Sequence, residues 1–128
     1  MRDIANNIGV DQTLAPVDYA ATTKGTAVDL NGFDSAALVI NTGAITSAGL
    51  YVVKMQESDT TTDGDFADVD AADLVGSLPA SLAATSTYKQ GYIGNKRYIR
   101  AVITKTSGTS VVAGAVVVKG NAADKPVA

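Results

Sequence analysis

Residues 48–70 read AGLYVVKMQESDTTTDGDFADVD, and this stretch decides the fold class. Its first part alternates, with Tyr51, Val53 and Met55 on one face and more polar side chains on the other. Such alternation is typical of a strand that buries one face. An acidic segment rich in Thr follows, and the strand pattern resumes at Phe66. The stretch therefore predicts a β-hairpin with a long polar loop.

Similar strand patterns lie on both sides of this hairpin. Turn-forming pairs such as Asn31-Gly32 and Ser107-Gly108 separate them. Pro16 lacks the N–H that an interior strand needs, so the first run is predicted to be an edge strand. Pro79 interrupts the segment 71–84, where we expect a loop or a single turn rather than a helix. The further strands are predicted at 14–21, 26–30, 35–41, 87–93, 97–104 and 111–119.

The 128 residues fit one domain. Seven to eight short strands separated by turns predict an all-β protein, a single antiparallel β-sandwich of the jelly-roll-like or Ig-like kind. We assign the sandwich to residues 14–120, an N-terminal arm to 1–13 and a C-terminal tail to 121–128. The core is expected to include Leu38, Ile40, Tyr51, Val53, Met55, Ile99, Ala101, Ile103, Val116 and Val118.

The composition restricts the classes of function. The chain has no His and no Cys, so the usual nucleophile–base pairs are missing and we expect neither an enzyme nor a cofactor. The lack of Cys also excludes disulfides and thiolate metal sites. The net charge of −3 argues against a nucleic-acid partner. No apolar run approaches the ~18 residues of a membrane span, and no secretory signal is expected.

Acidic side chains concentrate in the loop of the hairpin. Seven of the thirteen acids lie within residues 57–73. Oxygen-rich loops can bind calcium, but this spacing does not match the EF-hand pattern, so no metal ligand is assigned. A solvated loop and a contact with a partner are the other interpretations. For the partner contact, the candidate residues are Asp59, Asp63 and Asp65.

Basic side chains concentrate in a second segment, where five of the ten bases lie within residues 89–105. Arg97 and Arg100 are candidates for contacting the acidic loop of a neighbouring copy, because complementary charge steers association. Alternatively, both arginines cover the sheet surface or pair within the fold. Tyr88, Tyr92 and Tyr98 are either ordinary cross-strand aromatic residues or a platform for a carbohydrate, which would need exposed coplanar rings.

Three segments together resemble small virion proteins of tailed bacteriophages, of the capsid decoration (auxiliary head or cement) type. They are AVDLNGFDSAALVINTGAI at 27–45, VVKMQESDTTTDGDFADVDAADLVG at 52–76 and YKQGYIGNKRYIRAVIT at 88–104. The resemblance covers roughly residues 14–120. It implies a non-enzymatic sandwich that assembles in many copies on the outer head surface, where it holds adjacent capsomers together.

The resemblance also implies the partners and the location. The expected partner is the major capsid protein, the protein itself is expected to be a homo-oligomer with a trimer as the guess, and no membrane is involved. The chain would be made in the host cytoplasm and end in the virion. Candidate contacts in the N-terminal region are Arg2, Ile4 and Pro16. The alternatives are a tail or head–tail connector component, which shares the fold, and a carbohydrate-binding module.

Overall fold

The computed structural model describes residues 3–123, which contain ten β-strands and three short 3-10 helices at Ala5–Asn7, Asp63–Asp65 and Ala71–Asp73. No helix in this part of the chain is long and apolar enough to cross a membrane. The strands are β1 (Gly9–Tyr19), β2 (Thr23–Lys24), β3 (Val28–Asp29), β4 (Phe33–Thr46), β5 (Tyr51–Ser58), β6 (Ala67–Asp68), β7 (Leu74–Val75), β8 (Thr87–Tyr92), β9 (Tyr98–Lys105) and β10 (Ser110–Ala122).

The strands form two antiparallel sheets. Sheet A has the order β1-β10-β4-β8-β7, and sheet B has the order β2-β9-β5-β6, with β3 also paired to β9. If β2 and β3 count as one interrupted strand and β7 is left out, eight strands remain. Renumbered 1 to 8 along the chain, they have the order 1-8-3-6 in sheet A and 2-7-4-5 in sheet B. This is the order of a jelly roll, one of the two sandwich types expected from the sequence. The predicted all-β antiparallel sandwich is confirmed.

The core lies between the two sheets, and eight of its ten predicted members are buried. Val116 and Val118 are the exceptions, because they are half-buried on the outer surface of sheet A. The run in β10 is apolar at both odd and even positions, so alternation alone does not say which set faces inward. Pairing with β4 decides it, since Val117 lies opposite the fully buried Leu38.

The inward set of β10 ends in a lysine. Lys119 is only 9% exposed and lies at the rim of the core, where its ammonium pairs with Asp11. It also donates to the backbone carbonyl of Asp29 at 3.3 Å and lies 4.7 Å from the centroid of the Phe33 ring. These contacts compensate a charge that the sequence pattern alone would direct to solvent.

The boundaries of the sandwich differ from the predicted ones. β1 begins at Gly9, so residues 9–13 of the predicted arm belong to sheet A. Thr13 explains why this segment is ordered: its carbonyl accepts from the Thr26 N–H at 2.7 Å and its hydroxyl oxygen accepts from the Ala101 N–H at 3.1 Å. β1 is therefore tied to both sheets. At the other end β10 extends to Ala122, and residues 124–128 of the predicted tail lie outside the described residues.

The segment 71–84 contains a single 3-10 turn and loop, as predicted, together with the two-residue strand β7 that the sequence did not indicate. The longer part of the loop closes one end of the core. Leu82 is 4% exposed, and its N–H donates to the carbonyl of Tyr51 at 2.8 Å. This connector therefore serves the core rather than the surface.

Candidate interaction surfaces

The acidic loop, residues 59–66, folds back over the outer surface of sheet B. Its anchor is Arg100 in β9, whose side chain is 7% exposed. The guanidinium donates to the carboxylate of Asp63 at 2.7 Å and to the amide oxygen of Gln56 at 2.8 and 3.0 Å. The ring of Phe66 covers it, with 4.1 Å from the guanidinium carbon to the ring centroid. Arg100 therefore holds the loop by charge and by cation–π contact.

The network continues along sheet B on both sides of Arg100. Lys24 in β2 donates to Asp63 at 2.9 Å, and this bond together with that from Arg100 lowers the pKa of the Asp63 carboxyl. On the other side, Gln56 donates to Asp68 at 3.0 Å, and Lys54 pairs with the same carboxylate. These contacts lower the pKa of Asp68. The outer surface of sheet B is thus a chain of paired charges.

The other charged candidates are also engaged within the chain. Asp59 pairs with Lys96 at 3.0 Å, and Arg97 pairs with Asp29 at 2.9 Å. Asp65 accepts from the hydroxyl of Thr60 at 2.7 Å. The sequence left two alternatives for the basic segment, and the structure pairs Arg97 and Arg100 within the fold. The acidic carboxylates keep their outward exposure, which is 63% for the side chain of Asp59.

Glu57 is the carboxyl of this region whose pKa shifts the other way. It lies on the inner face of β5, where burial raises its pKa and the nearby charge of Asp73 adds to the effect. Tyr92, which is 4% exposed, accepts from the Lys96 N–H at 3.0 Å through its hydroxyl, and burial likewise raises the pKa of its phenol. Within residues 3–123 no three acidic side chains are arranged to hold a metal ion.

The three tyrosines do not form a carbohydrate platform. Tyr88 packs against the core and its hydroxyl accepts from the Ala83 N–H at 2.9 Å. Tyr92 is buried between the sheets. Tyr98 lies instead on the outer surface of sheet B, 5.2 Å below the guanidinium of Arg97. The exposed coplanar rings that the carbohydrate-binding alternative requires are absent from this set, because neighbouring positions in sequence fall on different sheets.

The outer surface of sheet A is apolar and uncovered, and the sequence did not single it out. We call it the outer A face. Its only charges among the described strand residues are Lys89 in β8 and Asp18 at its corner in β1. The sequence could have indicated this face, because β10 is apolar at both odd and even positions and only one of the two sets can face the core. The remaining members are Val10, Gln12, Ser35, Ala37, Val39, Asn41, Val75, Thr87, Gly91, Val112, Gly114, Val116, Val118 and Gly120.

The edge of sheet A beside this face is strand β1, whose only partner strand within residues 3–123 is β10. The predicted edge strand is therefore confirmed. Pro16 lies exposed in β1, and Val17 next to it is 48% exposed. Ile4, in the segment before the strand, is 61% exposed, while the remaining N-terminal candidate, Arg2, lies outside the described residues. A free strand edge with apolar side chains beside it can pair with a strand of another protein.

An open cavity of ≈ 600 Å³ lies at one end of the sandwich, between the β3–β4 turn and the β8–β9 loop. Phe33, Asp34, Asn95, Lys96 and Arg97 are among its lining residues. Its two basic side chains are already paired with carboxylates of the same chain.

No protein-family model matches this sequence, and the curated proteins give no significant match. The likeness to phage virion proteins thus rests on the three quoted segments.

Proposed function

We propose that this chain is a non-enzymatic structural protein of a phage particle, which binds the outer capsid surface in many copies and stabilises contacts between capsomers. The observation that carries the proposal is the position of β1 at the edge of sheet A, where Val17 and the preceding Ile4 expose apolar side chains. Main-chain pairing along such an edge is a common way for one protein to join the sheet of another.

The fold and the sequence resemblance add support. Jelly rolls are frequent among viral capsid domains and among lectins, so the fold alone does not choose between them. The placement of Tyr88, Tyr92 and Tyr98 favours the first group, because these rings do not form an exposed platform. The resemblance of the segments at 27–45, 52–76 and 88–104 points to decoration proteins within that group.

The proposed action is a linkage effect. A protein that binds only the assembled shell shifts the equilibrium toward that shell by mass action. Each contact through β1 can be weak, because many copies on one particle add their effects through avidity. The major capsid protein is the proposed partner.

Immunogold labelling of purified phage particles from a source that encodes this chain tests the proposal. Gold over the head facets would support it. Gold confined to the tail or neck would favour the tail or connector alternative, which shares the fold. No labelling, with the epitope shown to be accessible on the purified chain bound to a grid, would contradict an external virion role.

A pair of matched variants tests the contact itself. Val17→Lys places a charge on the β1 edge, and Leu50→Lys places the same charge on an exposed apolar residue outside both sheets. Purified variants are added to particles stripped of the protein, and the bound fraction is measured after sedimentation. We expect Val17→Lys to lose binding and Leu50→Lys to retain it. Equal binding of the two variants would contradict the assignment of the edge.

A further inference from the structure

The two outer surfaces of the sandwich differ in what covers them. On sheet B the chain covers itself, and Ser58, Arg100 and Val102 are all buried although they belong to the outer side. On sheet A, Val116 and Val118 are half-buried, while Val10 and Val112 on the same side are exposed. Of the seven exposed large apolar side chains in residues 3–123, four are in strands of sheet A and none is in a strand of sheet B. They are Val10, Val17, Val75 and Val112.

Charge is distributed in the same one-sided way. The outer A face carries Lys89 and Asp18, while the acidic loop and its partners lie across the molecule on sheet B. Two copies packed through their outer A faces would form four stacked sheets with the acidic loops outermost. Sheets pack ~10 Å apart, so the two B sheets would be separated by roughly 30 Å and the loops outside them by more. The Debye length is only ~8 Å at physiological salt, so their repulsion would be screened.

The size of the face is sufficient for such a pair. Along β10 it extends from Val112 to Gly120, roughly 30 Å at ~3.4 Å per residue. Four strands at ~4.8 Å spacing give a width of about 19 Å, hence roughly 570 Å² per copy before the corrugation of the side chains is added. Two copies therefore bury about 1,150 Å² of flat area, and the corrugation of the side chains raises this value toward the range for specific interfaces, ~1,200–2,000 Å².

The shape of the outer A face is compatible with packing against another sheet. Val is the most frequent residue of this face, and Gly114 is among the residues that line an open groove of ≈ 360 Å³. Pro16, Val39 and Val116 are among the walls of this groove. Side chains from facing sheets interdigitate in sandwiches, so the groove can accept the β-branched side chains of an opposite face.

We infer that the outer A face is a self-association surface, and that its occupant is the outer A face of a second copy of this chain. The pairing is twofold and isologous, so the unit is a dimer. This differs from the trimer that the sequence resemblance suggests. The inference does not rest on the proposed function, because the dimer forms between purified chains without a phage particle.

The test is the mass of the purified full chain by analytical ultracentrifugation over a concentration series. We expect it to rise from 13.0 kDa to twice that value as the concentration increases. Val116→Glu would bury unpaired charge at the interface and raise the dimer dissociation constant at least roughly tenfold. The matched control is Val52→Glu, a half-buried valine on the outer side of sheet B, which should leave the dissociation constant unchanged.

A second variant guards against misfolding of the first. Asn41→Lys changes an exposed residue of the same face and should weaken the dimer with an unchanged circular dichroism spectrum. A chain that stays at 13.0 kDa, a trimer, or equal effects of Val116→Glu and Val52→Glu would each overturn the inference. A monomer whose binding to phage particles is lost in Val116→Glu would overturn it too, because the face would then dock on the capsid.

Discussion

The hydroxyl of Tyr51 is buried and makes no hydrogen bond to the described residues, so it does not contribute to the stability of the fold. Tyr51 opens β5 and is 0% exposed. Among residues 3–123, its oxygen is the one buried side-chain N or O atom without a hydrogen-bond partner. A hydroxyl in this position has lost its water contacts without replacement, which costs about 1–3 kcal/mol. Its removal should therefore stabilise the protein.

Tyr51→Phe removes this oxygen and keeps the ring. The small void left behind, about 10–15 Å³ at ~24 cal/mol per Å³, offsets only ~0.3 kcal/mol of the gain. We expect the free energy of unfolding to rise by about 1–2 kcal/mol. At ~2.1 cal/mol/K per residue the unfolding entropy of this chain is about 270 cal/mol/K, so the melting temperature should rise by roughly 4–7 °C.

The matched control is Tyr19→Phe, which deletes the same atom where it has a partner. Tyr19 is 7% exposed, and its hydroxyl donates to the carbonyl of Ala15 at 2.6 Å. This variant should lose about 0.5–1.5 kcal/mol. Thermal and urea unfolding, followed by circular dichroism, measure both. A Tyr51→Phe protein no more stable than the parent, or shifts of the same sign in the two variants, would refute the reasoning.

Three further predictions concern two pKa shifts and one close approach of the backbone. The hydrogen bonds from Arg97 lower the pKa of Asp29 in the folded state. The stability from this pair is therefore complete above 3.8, the ordinary pKa of an Asp carboxyl, and is lost as the pH falls through the folded-state pKa. Asp29→Asn should reduce this loss of stability at acidic pH, measured by urea unfolding at pH 2–6. Burial raises the pKa of Glu57, so its charge destabilises the folded protein at pH 7. Glu57→Gln should therefore raise the free energy of unfolding at pH 7, and the gain should disappear as the pH falls and Glu57 of the parent takes up a proton. A pH dependence of stability that neither Asp29→Asn nor Glu57→Gln changes would contradict these assignments. A Cβ at Gly49 would clash with the backbone carbonyl oxygen of Ser107, so Gly49→Ala should lower the free energy of unfolding by about 1–3 kcal/mol. Gly64 has open space around it, so the control Gly64→Ala should leave the free energy of unfolding unchanged. Equal unfolding midpoints of the two variants would contradict this prediction.

The sandwich was predictable because alternation and turn residues act locally. In β5 and β9 the centre of one parity is apolar while the other parity carries Lys54, Gln56 and Arg100, so the inward face could be assigned before any pairing was known. In β10 both parities are apolar, and the inward set depends on its pairing with β4. That pairing is long-range information, which is why Val116 and Val118 were wrongly placed in the core.

The charged surface shows the same limit. The sequence indicates an acidic loop and a basic strand, but whether they pair within one chain depends on how far the β5–β6 loop folds back. The structure decides this through Arg100, which stands between apolar neighbours on β9 and is screened by Phe66. A guanidinium in that position needs a carboxylate close by. Asp63 is the partner, and only the folded loop brings it within 2.7 Å.

The asymmetry of the sandwich follows from the lengths of its connectors. Within residues 3–123 only two connections between strands are long enough to cover a surface. One is the acidic loop, which covers sheet B, and the other is 76–86, whose Leu82 closes an end of the core. The remaining connections are short turns, so none can reach across sheet A. Because the connectors within residues 3–123 leave the outer A face apolar, we expect a second molecule to pack on it, and its scarcity of charge fits another copy of itself.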